Sequence, residues 1–383
     1  MKKAAGLFIS IILLLVPLSS MEWGGLITED LGYETKNFSS ETNRIKQSNS
    51  ASLWMTGALV PDGIINFAAQ ASGKYFLTSK NDAFVFTPII NLDLLKFSGN
   101  LRIAEGVLNY SVGRFAISDL TGKIFSQTND GMLLKYSMPS FEANAYIGYT
   151  GYLNAMTVAM LSNEHKVHTV DGSVYVMAHS YMPVCLSMEV PSLFLNQTFN
   201  VQLSGFFDME ETKYNRYYGT FSLNGPIVGP VYYSLLTTFA LENFDAFSNY
   251  SALSIQIFPI SFFTLKLNAE YASGNQLIFK PFVTFTSNTA YNSYLEPELS
   301  GVIMPNVDFI FLWERFYASL NGKVVLGYPE NEIIFQGLNF TANMYFNIFT
   351  DLQLGLSAIY YHDIINAGEM NKASLNVNVS LSF

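Results

Sequence analysis

The chain has 383 residues, of which 50% are hydrophobic, 15% aromatic and 13% charged, and 20 basic against 30 acidic side chains give a net charge of −10. Soluble domains carry roughly 25% charge, so an ordinary water-facing globule is excluded; the aromatics exclude disorder, and the acidic balance excludes nucleic acid as a partner. After position 20 no apolar run reaches the about 20 residues that a membrane helix needs, because Ser, Asn, Thr or Gly interrupts each one.

Lys2 and Lys3, an apolar core from Ala4 to Val16 and then Pro17-Leu18-Ser19-Ser20 predict an export signal over residues 1–20, leaving 21–383 as one domain. No cysteine follows that core, so nothing points to lipidation. Cys185 is the chain's single cysteine, which excludes an internal disulfide and a cysteine zinc site.

Beyond the signal the period is two, which means strands. Alternation runs through Ile65–Tyr75, Phe141–Tyr149, Phe199–Phe207, Val231–Phe239, Phe263–Tyr271, Leu338–Phe346, Leu352–Tyr360 and Leu375–Phe383. On the apolar face of these segments Thr237 is the one conventionally polar side chain and none is charged; the other face is mostly Asn, Ser, Gln and Thr. The exposed face of a soluble sheet would be richer in Lys and Glu. An uncharged outer face suits lipid, and an amide-rich inner face suits an enclosed, hydrated lumen. Strands in lipid must close on themselves to pair their backbone groups.

Turn chemistry sets the strand number. Short connections are predicted at Pro61-Asp62-Gly63, Leu94–Gly99, Met138-Pro139-Ser140, Pro191–Gln197, Gly225–Pro230, Pro259-Ile260-Ser261, Pro305-Asn306 and Ile348–Thr350. Longer ones are predicted at 32–49, 78–82, 116–129, 151–172, 210–214, 243–249, 274–294, 319–332 and 362–372. The expected fold is therefore all-β, a transmembrane antiparallel barrel of about 18 strands, with 16–20 as the bounds. In that topology Tyr75, Tyr149, Tyr271 and Tyr360 fall at the outer ends of the lipid face, and Phe141, Phe199, Phe263, Phe346 and Phe383 at the inner ends. They would form two aromatic girdles.

Leu375, Val377, Val379, Leu381 and the terminal Phe383 resemble the signal by which barrel-assembly machinery recognises bacterial outer-membrane proteins. The segment Val112-Gly113-Arg114-Phe115-Ala116-Ile117-Ser118-Asp119-Leu120-Thr121-Gly122, followed by Asn129-Asp130-Gly131, resembles the strand end and loop of porin-like and alginate-export-like barrels. Those families include eighteen-stranded channels. The short strands rich in Tyr and Phe also look like spirochaete outer-membrane proteins. What the resemblance implies is an outer-membrane channel for passive or substrate-selective diffusion of small polar solutes, embedded in lipid, without cofactor, and compatible with a homo-oligomer. It further implies that the loop after the fifth strand narrows the pore, so that Asp119, Lys123 and Asp130 are constriction candidates. The bland alternative is a solvent-exposed turn at Asp119-Leu120-Thr121-Gly122. Arg114 shares the phase of Leu108, Tyr110 and Val112 and belongs at the outer rim unless a bulge at Gly113 re-aims it.

Parity places Lys74, Lys135 and Lys266 in the lumen against Glu142, Glu189, Asp208, Glu242, Glu270 and Asp308. An acidic excess favours cations, although most such charges in barrels serve as ion-paired bystanders. No Gly-x-Ser-x-Gly elbow exists. Glu164, His165, His168 and Asp171 form the one compact set of metal or acid–base candidates, and their place in a polar loop argues for neither, so no enzyme and no metal are expected. Two rivals to the channel remain. One is a transporter of hydrophobic substrates, of the fatty-acid type, plugged by residues 21–50 with Trp23 as anchor; the other is a closed barrel acting as surface adhesin or antigen.

Overall fold

A chain whose two faces call for different solvents satisfies both as a closed sheet. The computed structural model describes residues 21–39, 43–59, 65–80, 83–158, 173–210, 214–276, 278–286, 299–328, 332–365 and 371–383. Their strands are β1 (Met21–Lys36), β2 (Arg44–Ala58), β3 (Ile65–Lys80), β4 (Ala83–Ile103), β5 (Gly106–Ser118), β6 (Ser126–Ser137), β7 (Glu142–Tyr149), β8 (Tyr181–Phe194) and β9 (Gln197–Asp208). The ring continues with β10 (Arg216–Val228), β11 (Val231–Glu242), β12 (Ala246–Ile260), β13 (Phe263–Ala272), β14 (Val302–Trp313), β15 (Phe316–Gly327), β16 (Ile334–Asn347), β17 (Leu352–Asp363) and β18 (Lys372–Ser382). Each pairs antiparallel with its neighbours in sequence, and β1 pairs with both β2 and β18, so the eighteen-stranded sheet has no free edge.

The register keeps the two faces separate. Leu356, Val377 and Leu31 lie abreast across β17, β18 and β1, all exposed on the outside. One residue along, Gly355, Asn378 and Asp30 face the lumen, where the Asn378 amide donates to Asp30 at 2.6 Å. The aromatic belts follow the expected order. Tyr75 packs on Phe86 with centroids 5.5 Å apart at the long-loop end, while Phe263 packs on Phe311 at 5.0 Å and Phe346 and Phe383 stand exposed at the short-turn end.

Two expected turns lie elsewhere. Leu94–Gly99 is the interior of β4, and the chain turns at Ala104-Glu105 instead. Lys96, Ser98 and Asn100 resembled turn chemistry because they are the lumen-facing positions of a long strand. The register against β3 slips at Gln70/Ala71, making Asp93 the extra residue of a bulge. Pro305 likewise lies within β14, still opposite Ala269, and the turn falls at Glu314-Arg315. Lacking an N–H, Pro305 sits in the gap of the β14–β15 ladder between the Ile303–Leu326 and Asn306–Lys323 pairs. Moving a turn along the chain does not change the number of turns, so the strand number is unaffected.

The segment 32–49 is mostly strand, since β1 runs to Lys36 and β2 begins at Arg44. Met21–Lys36 is thus the wall strand that closes the ring, and Trp23 is 73% exposed, so residues 21–50 are not a plug. Nor is 319–332 a loop throughout, because β15 extends to Gly327. The proposed export signal at 1–20, Pro61-Asp62-Gly63, and Glu164, His165, His168 and Asp171 lie outside the described residues.

A cation on the outer face has no water to retreat to. Val377→Arg, at the centre of β18, should lower unfolding stability in liposomes by about 2–4 kcal/mol. The same replacement at lumen-facing Ser357 should lower it by less than half as much, as measured by denaturant titration of tryptophan fluorescence.

Candidate functional site: the inward-folded loops

The connection between β5 and β6, residues 119–125, does not rise into solvent. Asp119 organises it. One carboxylate oxygen accepts from the Thr121 N–H (3.0 Å) and hydroxyl (2.6 Å), and the other accepts from the Phe125 N–H at 3.0 Å. Burial pushes this carboxyl above its ordinary range, while the hydrogen bonds from Thr121 and Phe125 pull it down. Gly122 takes φ +66°, which closes the turn.

The loop crosses to the far wall. The Leu120 N–H donates to the Gln202 side chain of β9 at 2.9 Å, and the Lys123 ammonium pairs with Glu270 of β13, which also accepts from the Tyr250 hydroxyl at 3.1 Å. The Ile124 carbonyl receives the N–H groups of Phe285 (2.9 Å) and Thr286 (2.8 Å), so the β13–β14 connection folds in beside it. At the centre Phe125, Phe206 and Phe285 pack together, with Phe206 and Phe285 stacked at 4.0 Å. Leu153, Ala155 and Val158 of the β7–β8 connection join the same buried cluster.

The lumen is consequently two-sided. The cluster takes its wall residues from the arc β8–β14: Tyr181, Phe206, Tyr218, Ala240, Tyr250, Ala272, Val302 and Met304. The remaining arc carries cross-strand amides and hydroxyls instead. Asn343 donates to Ser319 at 3.3 Å and accepts from Ser357 at 2.8 Å; Thr28 and Ser50 are bonded at 2.6 Å. At the β13–β14 edge of the filled arc Asn268 donates to Asn306 at 2.7 Å and to Asp308 at 2.8 Å.

Most of the expected lumen charges have counterparts. Lys135 pairs with Glu142 at 2.6 Å, and Asp308 stands opposite Lys266 across β13 and β14. Glu142 and Glu189 are directly opposed in the β7–β8 register, whereas Lys74 lies between Ser50 and Ile89. Asp208 is buried at the end of β9, accepting from the Glu210 and Tyr214 N–H groups at 2.9 and 3.1 Å and contacting His179 at 2.9 Å. Glu242 accepts from the Tyr214 hydroxyl and lies 3.8 Å from Arg216. These two carboxylates anchor the long-loop rim.

Asp130 belongs to β6, not to the loop. Arg114 holds it bidentately (2.8 and 2.7 Å) and donates as well to the carbonyls of Leu92 (3.2 Å) and Tyr152 (2.8 Å). Gly113 has φ +118°, and a Cβ there would meet the Leu95 carbonyl at 2.1 Å. The β4–β5 ladder ends at Leu95–Arg114, and above it the β7–β8 connection fills the fork, with Asn154 donating to the Ile90 carbonyl at 3.1 Å. Arg114 is a staple across that fork. The apolar plug was not anticipated, yet a signal existed: Phe206, Tyr218 and Tyr250 are aromatics on the polar phase of their strands.

Comparison with solved structures matches the whole barrel. Pseudomonas aeruginosa OccK5 (OpdH) superposes with a TM-score of 0.60 at 11% identity, over 94% of this chain and 98% of that one. The fold is that of the OccK barrels. P. aeruginosa OccK11 (OpdR) gives 0.61 at 10% identity over 95% and 96% of the two chains, and P. aeruginosa OpdK with vanillate gives 0.58 at 10% over 94% and 99%. No family model matches the chain, and no curated protein matches it.

Arg114→Ala should remove a buried charge from a bidentate pair and leave Asp130 with only partial solvent access. The expected loss is about 3 kcal/mol, the lower end of the range for breaking a buried pair. The Arg114→Ala barrel should also be nicked faster by protease between residues 150 and 180.

Proposed function

We propose that the chain is a bacterial outer-membrane channel through which small polar solutes diffuse, with the loop at 119–125 as its constriction. The observation that carries this is the reach of that loop from β5 to β9 and β13, which divides the lumen into a filled apolar half and an amide-lined half. The solute path follows the amide-lined arc β15–β18 and β1–β4. Fold-level likeness to OpdK, described as an outer membrane protein, supports the location. The terminal strand ending in Phe383 is the segment that the assembly machinery would read, and residues 1–20 are the export signal.

Asp119 acts here by holding the loop rather than by meeting solute, while Lys123 and Glu270 fasten its tip. On the path strands Asp30 faces the lumen together with Lys74, Lys96 and Lys323, while Glu189, Asp308 and Lys266 stand on the filled arc β8–β14, so the acidic excess does not lie along the path.

In planar bilayers the purified chain should give stepwise ohmic conductance; silence would favour a closed adhesin-type barrel. Lys123→Ala frees the loop tip from Glu270. It should raise single-channel conductance by about half or more and add gating noise, whereas unchanged steps would remove the loop from the conduction path.

A further inference from the structure

Two tyrosine rings lie along the lumen wall of the amide-lined arc. Tyr345 of β16 stands opposite Gly355 of β17, and a Cβ built at Gly355 would meet its Cδ1 and Cε1 atoms at 3.0 Å, so the ring rests across the bare glycine. Tyr361 of β17 lies over Gly337 of β16, where its Cζ and Oη atoms would meet a Cβ at 2.9 Å. Both tyrosines are half-buried, with the wall on one side and the lumen on the other. Gly355 and Tyr361 stand about 20 Å apart along β17 at roughly 3.3 Å per residue.

The lumen-facing rows between the rings are Thr341, Ile359 and Ser374, then Asn343, Ser357 and Asn376, and the row that holds Tyr345 ends at Asn378 on β18. None of these positions is charged. Their polar groups bond along the wall: Asn343 accepts from Ser357 at 2.8 Å, Asn376 donates to Ser374 at 3.0 Å and Asn378 donates to Asp30 at 2.6 Å. A carboxamide carries two N–H donors and a carbonyl with two lone pairs, so each of the three keeps both kinds of group for a solute. The lysines of the path stand off this face, Lys74 on β3, Lys96 on β4 and Lys323 on β15.

An ion finds no counter-charge on such a surface, and an apolar solute would leave the amides unpaired. A sugar matches both of its features. The hydroxyls around a sugar ring donate and accept at once, as amides do, and its C–H faces are apolar and pack on aromatic rings. We propose that the inward face of β16, β17 and β18 is a binding track for neutral sugars, stacked on Tyr345 and Tyr361 and hydrogen-bonded to Asn343, Asn376 and Asn378. This rests on the reading of the chain as an open channel and names the solute class that its amide-lined arc takes. Asp30, held at the border of the track by Asn378, accepts from a sugar hydroxyl and repels a carboxylate.

Added to one side of a planar bilayer that holds the full chain, glucose and maltotriose should interrupt the ion current in a saturable way. Tyr345→Leu should raise the half-blocking concentration about fivefold, and Asn343→Ala, which leaves the ring in place, about threefold. Tyr345→Phe keeps the ring and should restore the wild-type value. Open steps that neither sugar interrupts overturn the proposal and leave the channel standing, whereas a chain without steps overturns both. Equal block by a polyethylene glycol of the same size overturns it too, as does a block that Tyr345→Leu and Asn343→Ala leave unchanged. Block by glucuronate where glucose has no effect would assign recognition to the lysines and overturn it as well.

Discussion

Everything in this molecule depends on pairing the backbone where no water is available to do it. A strand in hydrocarbon with an open edge leaves a row of unsatisfied N–H and C=O groups at several kcal/mol each. The bonds between β1 and β18, which join the first wall strand to the last, therefore hold the fold in a way that no single side chain does. They also explain why residues 21–36 cannot serve as a hatch: withdrawn into the lumen, they would open the ring on both sides. The same constraint explains how Pro305 is tolerated mid-strand, since its missing donor interrupts one ladder while the other stays paired.

Closing the ring creates a second problem, because a lumen this wide cannot be filled by wall side chains alone. The chain fills half of it with its own connections. Three of them converge on the arc β8–β14, and the packing is that of a small globular core, with stacked aromatics and satisfied turn groups. Lys123 and Leu120 attach this core to strands more than 80 residues away in sequence. The inward loop is thus positioned by long-range contacts, and its conformation follows from the wall it meets.

This division accounts for what could be read in advance. Strand identity, face and number were legible because period two is a local property, and Leu375–Phe383 or Phe263–Tyr271 display it without reference to anything else. Turn positions were less so. Where lumen-facing Lys96, Ser98 and Asn100 alternate in a long strand, polar residues mean water inside a pore, and the same letters mean a turn elsewhere. The site was least legible, since Asp119 and Lys123 could be singled out by place, but their partners Phe125, Gln202 and Glu270 come from distant strands. Phe206, Tyr218 and Tyr250 did carry a readable sign, being aromatics on the face that water should own.

Polar groups on the lipid-facing register show how far that constraint reaches. Thr237, Ser251 and Asn249 satisfy one another across β11 and β12, with Thr237 and Ser251 bonded at 2.9 Å and the Asn249 amide donating to Thr237 at 3.2 Å. Arg114 and Asp130 neutralise each other beneath the β7–β8 connection. Each set is closed in charge and largely in hydrogen bonds, so lipid beside it meets few unmet polar atoms. The set of Glu29, Gln47 and Asn49 on β1 and β2 is closed in neither respect, because Gln47 offers Glu29 a dipole but no positive charge, and the Asn49 carbonyl is left over.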